Sequence, residues 1–83
     1  MGANGKILYV GETTRPAALD LVLEGQGYQI STARDVNAAL GILRMRHFEV
    51  LVVEQDLLEV DREKWRQVNR IEPQIPILGV SVR

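Results

Sequence analysis

Eighty-three residues leave room for one small domain, since single domains usually run to ~100–150 residues. Hydrophobic side chains make up 46% of the chain and charged ones 25%, which excludes a disordered polymer of low hydropathy and high net charge. Ten basic and eleven acidic residues give a formal charge of −1, so no global cationic field draws in nucleic acid or an anionic membrane.

Lys6 to Val10 (KILYV) is a β-rich run stopped by Gly11, and reads as a strand buried on both faces. Thr13 or Thr14 can cap a first helix with Pro16 in its first turn, where a missing N–H costs nothing. Leu19, Val22 and Leu23 form its apolar stripe, and Gly25 and Gly27 end it. Tyr28 to Thr32 (YQIST) alternates as a second strand. Asp35 caps a second helix with Val36, Ala39, Leu40 and Leu43 on one stripe. Phe48 to Glu54 (FEVLVVE) holds four consecutive aliphatic residues, the pattern of a fully buried strand. A third helix is expected from about Asp61 to Ile71, with Trp65, Val68 and Ile71 inward, stopped by Glu72-Pro73. Ile75 to Val82 (IPILGVSV) is the last strand. Strands alternating with helices at this spacing predict a parallel α/β sheet with right-handed crossovers.

No apolar run approaches the ~20 residues needed to span a bilayer, and the first six residues lack a secretory pattern. Without cysteine there are no disulfides, no thiolate chemistry and none of the common zinc sites. A cytoplasmic domain is therefore expected. So small a chain buries only about 60–65% of its unfolded surface, and must pack well or borrow surface from a copy or a partner.

In open parallel sheets chemistry gathers at the carboxyl ends of the strands. Here those ends hold Gly11 and Glu12 after the first strand, Glu54 after the third, and Ser81 in the fourth. Two carboxylates beside one hydroxyl could hold a magnesium ion or a phosphoryl group. The plainer alternative is that Glu12 and Glu54 are solvated loop acids.

Thr32 to Glu54 (TARDVNAALGILRMRHFEVLVVE) resembles the second helix and third strand of response-regulator receiver domains. Those read T-A-x-[DN]-G-x-x-A-L-x-x-L-x-x-x-x-[FY]-D-[LV]-[LIV]-[LIV]-[LIV]-D, and Thr32, Ala33, Asp35, Ala39, Leu40, Leu43 and Phe48 fall in register. Leu23-Glu24 with Gly27-Tyr28 is similar to the family's L-E-x-x-G-Y, and Pro73-x-Ile75-Pro76-Ile77 to its D-P-x-[IL]-P-[IV]. The resemblance covers nearly all of residues 6–82. It implies a flavodoxin-like receiver fold of (βα)3β form with strand order 2-1-3-4, as a single domain over residues 1–83 that lacks the family's fourth helix, fifth strand and fifth helix.

The departures bear on function. The position of the phosphate-accepting aspartate falls on Glu54, whose extra methylene moves the carboxylate by roughly 1.5 Å, a misplacement in-line transfer does not tolerate. The acidic pair that binds magnesium in the family falls on Gly11 and Glu12, so one ligand is missing. The switch hydroxyl falls on Ser81. Where the family has M-P-G-x-[DN]-G after the acceptor, this chain reads Leu57-Leu58-Glu59-Val60-Asp61-Arg62, so that connection must take another path. The family's catalytic lysine lies in the portion without a counterpart. The resemblance therefore implies a non-enzymatic pseudo-receiver with no cofactor and no bound metal, acting in signalling through protein contacts. Two alternatives stand beside it: a phosphoacceptor of a two-component phosphorelay using another acid such as Asp56, and a structural self-assembly unit.

With order 2-1-3-4 the fourth strand becomes an open edge, apolar on both faces through Ile75, Ile77, Leu78, Val80 and Val82. Part of one face also lacks a covering helix. The expected partner is a second copy of the chain or another signalling protein, with no nucleic acid and no membrane. Trp65 is expected in the core, an exposed partner anchor being the alternative. His47 has no second histidine or cysteine to share a metal and reads as a loop residue. The basic residues Arg62, Lys64, Arg66 and Arg70 alternate with acids as helix surface pairs do. Gly25-x-Gly27 follows a helix instead of a strand, which excludes a dinucleotide fingerprint.

Overall fold

The computed structural model describes residues 5–11 and 24–81. In chain order these form β1 (Gly5–Val10), β2 (Tyr28–Ala33), α1 (Val36–Leu43), β3 (Val50–Glu54), α2 (Gln55–Val60), α3 (Arg62–Ile71) and β4 (Ile77–Val80). The four strands make one parallel sheet of order β2-β1-β3-β4. This is the α/β architecture and the strand order expected from the sequence. The first predicted helix lies outside the described residues except at its end. There Glu24 and Gly25 are helical, and Gly27, at φ 92, donates its N–H to the Glu24 carbonyl at 3.0 Å.

Strand alternation divides the core in two. On one face Leu8, Val10, Leu51 and Val53 pack under α1 and α3, with Val36, Ala39, Phe48, Trp65, Val68 and Ile75 completing a buried cluster. On the other face Ile7, Tyr9 and Val52 are buried together, flanked by Tyr28, Ile30, Val50 and Val80. The cap of α1 is as predicted: Asp35 Oδ1 accepts the Ala38 N–H at 2.9 Å.

Three expectations change. The chain after Glu54 is not a loop but a second short helix, α2, which bends at Asp61 (φ −110, ψ 39) into α3. Gln-Asp-Leu-Leu-Glu-Val has neither proline nor glycine to break a helix, and Leu57 and Leu58 pack against the core. Ile71 ends α3 at 60% exposure instead of facing inward, because only Trp65 and Val68 of that stripe reach the sheet. The last strand begins at Ile77, not Ile75. Ile75 precedes the edge strand and is buried in the core, its backbone N–H turned back to the Glu72 carbonyl at 3.2 Å, so it is no part of an exposed edge.

Trp65 is buried, and its indole N–H donates to the Leu57 carbonyl at 3.2 Å, tying α3 to α2. The α2 helix also lies close on β4. A side chain at Gly79 would run into the Gln55 amide and Leu58 Cδ1.

Candidate functional site at the carboxyl ends of the strands

Tyr9 pairs across the sheet with Val52, so the alternation of β1 and β3 places Tyr9, Val52 and Glu54 on one face. Val10 ends β1, and Gly11 continues its ladder by one bond, its N–H donating to the Ala33 carbonyl at 2.9 Å. Glu54 ends β3, opposite Val80 of β4.

Glu54 is not a solvated loop acid. It is only 5% exposed, and its Oε2 accepts the Tyr9 hydroxyl at 3.2 Å in a buried hydrogen bond. A carboxylate withdrawn from water needs such donors to offset its desolvation. Space for it comes from Gly11. A Cβ built there would overlap Cγ, Cδ and Oε2 of Glu54, so any side chain at position 11 competes with the glutamate for one volume.

Of the other residues expected here, Ser81 is exposed and sits one position beyond β4, after the residue that pairs with Glu54. Glu12 lies outside the described residues, as does Val82 at the end of the predicted edge. Asp56 is exposed in the first turn of α2. Among the described residues no three His, Cys, Asp or Glu side chains converge as ligands do. With Gly11 bringing no ligand and Glu54 bonded to Tyr9, the described residues do not fit the divalent cation that the acidic pair of active receiver domains binds.

Along the edge, Leu78 is 53% exposed, and Ile77 and Val80 are half-buried. Leu78 shares the Val52 face, while Ile77 turns to the helix-covered cluster. No helix among the described residues is long and apolar enough to cross a membrane.

Tyr9 is the site residue that the sequence reading missed. Within KILYV it is simply one position of a β-rich run. The available signal was its hydroxyl, since a tyrosine in a strand buried on both faces must find a polar partner.

Among solved structures the chain is similar to the chemotaxis response regulator CheY4 of Vibrio cholerae, with a TM-score of 0.67 and 24% sequence identity. The match covers 95% of this chain and 68% of that one. The chain has a receiver fold. About a third of the CheY4 chain thus has no counterpart here. No protein-family model matches the sequence, and no curated protein matches it significantly. Within this fold Glu54 stands at the end of β3 and Gly11 just after β1.

Proposed function

We propose that this chain is a receiver-like signalling module that acts in the cytoplasm by binding other protein chains, without phosphoryl transfer and without a metal. The observation behind this reading is the buried Glu54 carboxylate, held by the Tyr9 hydroxyl in the space that Gly11 leaves open. An acceptor must present an oxygen in line with an incoming phosphoryl group and beside a cation. A carboxylate packed over Gly11 has little room for either. In this reading Glu54 keeps the domain in one signalling state.

Incubation with a small phosphodonor and magnesium, followed by intact-mass measurement, should give no added phosphate. Phosphate on Glu54 or on the exposed Asp56 would replace this reading with that of a phosphorelay acceptor. The signalling state is tested by Glu54→Gln, which keeps the shape and removes the charge. It should alter self-association or capture of a partner, and no change in either would remove Glu54 from the mechanism.

The partner surface in this reading is the β4 edge, where Leu78 and Val80 offer apolar contact and the outer backbone of the strand offers ladder hydrogen bonds. A second copy adding there gives a homodimer. At about 1 M salt, a concentration-dependent dimer that Leu78→Lys abolishes is the expected result.

A further inference from the structure

Met45 and Val60 are the two most exposed large apolar side chains of the described residues, at 85% and 78%. They lie at opposite ends of the sheet. Met45 is in the turn that leads from α1 into β3, at the amino ends of the parallel strands. Val60 closes α2, which leaves β3 at the carboxyl ends.

Each sits among charges with an excess of one sign. Arg44, Arg46 and His47 flank Met45, all exposed, and Lys6 lines one shallow cleft with Met45, Arg46 and His47. The acids on that side are Glu49, whose Oε1 is 3.8 Å from His47 Nε2, and Glu72. Arg46 is held in place: its guanidinium donates to Ser31 Oγ at 3.2 Å and lies 5.7 Å from the centre of the Phe48 ring. Around Val60 the order is reversed. Asp56, Glu59, Asp61 and Glu63 surround it in sequence, against Arg62 and Lys64, and Glu63 is paired with Arg66 at 3.0 Å, which leaves Asp56, Glu59 and Asp61 as the acidic excess. Of the acids, Asp56, Glu59 and Glu63 are exposed.

We infer that the two ends are the halves of one head-to-tail interface between copies of this chain, with the Arg44–His47 turn of one copy seated on the Glu59–Glu63 junction of the next. An apolar centre inside a charged rim is the usual make-up of a protein contact, and here rim and counter-rim are of opposite sign. Pairing like with like would set cations on cations, so an isologous dimer through either end is disfavoured. Because the ends lie at opposite poles of the sheet, the contact is heterologous and repeats from copy to copy. The β4 edge runs along the side of the sheet, so this interface stands independently of the edge contact and of the reading of Glu54.

The test is made in a Leu78→Lys background, which silences the β4 edge. Sedimentation velocity of that chain at low ionic strength should show species that grow with concentration and pass beyond a dimer. Raising the salt to about 0.15 M should weaken the association at least about tenfold, since exposed charges are screened over ~8 Å. One variant carries Arg44→Ser with Met45→Ser, the other Glu59→Ser with Val60→Ser; all four side chains are exposed, and circular dichroism checks that both fold. Each variant alone should be monomeric. Their equimolar mixture should form a one-to-one dimer and nothing larger, because it holds one intact basic end and one intact acidic end. Met45→Ser alone, a milder change, should lower the association without abolishing it. A parent that stays monomeric at low salt, a variant that assembles as the parent does, or a mixture that stays monomeric would each overturn the inference.

Discussion

At position 54 one methylene changes what a carboxylate can reach. An aspartate at the end of a central parallel strand projects beyond the sheet, whereas Glu54 is long enough to fold over Gly11 and accept the Tyr9 hydroxyl. Three residue choices are therefore coupled: a small residue at 11, a hydroxyl donor at 9, and the longer acid at 54. Tyr9→Phe takes one donor from a buried carboxylate, and should cost about 1–3 kcal/mol, read as a lowered Tm. Gly11→Ala forces the glutamate to shift, at a similar cost of roughly 1–3 kcal/mol. Made in a Glu54→Ala background the same Gly11→Ala should be close to neutral, and a double-mutant cycle by denaturant unfolding checks that coupling. Additive effects would mean that Gly11 and Glu54 do not compete for space.

Among the elements, α2 shows how a short helix persists in a small domain. Six residues do not hold a helix in water. Leu57 and Leu58 anchor it on the core, the Trp65 indole ties its Leu57 carbonyl to α3, and Gly79 lets it lie close on β4. Trp65→Phe keeps most of the apolar volume but loses the N–H donor, and should cost about 0.5–1.5 kcal/mol by thermal melting. Gly79→Ala should loosen the seam between α2 and β4. Its amides should then exchange with solvent faster than those of β1, which is central in the sheet. Asp35→Ala removes the α1 cap and should cost about 1 kcal/mol.

For the whole molecule the question is how a chain of 83 residues manages its apolar surface. The β1 and β3 strands are buried at the centre, and β4 forms one border of the sheet with Leu78 half out in solvent. If a second copy covers that edge, stability depends on protein concentration. At about 1 M salt, where charge contacts are screened over ~3 Å, the Tm should then rise with concentration over a hundredfold range, and Leu78→Lys should flatten that rise. A flat profile for the unaltered chain would show that the edge is not covered by self-association.

Periodicity, capping residues and proline positions determined the elements and their order. The run VLVVE, short and rich in β-branched residues, reads as a buried strand, Asp35 ahead of an apolar stripe reads as a helix start, and strands alternating with helices imply one parallel sheet. These are local signals, and they carry to the fold because parallel sheets admit few connections. Tertiary structure decided the rest, for reasons of space and partnership. Whether Ile71 or Ile75 faces inward depends on where α3 meets the sheet, which a helical stripe alone does not specify. The helix in place of the loop after Glu54 depends on a docking surface to which Trp65 of the next helix and the more distant Gly79 contribute. The direction of the Glu54 side chain, out toward solvent or back over Gly11 to Tyr9, depends on residues 43 and 45 positions away, which become neighbours only when β1 and β3 pair.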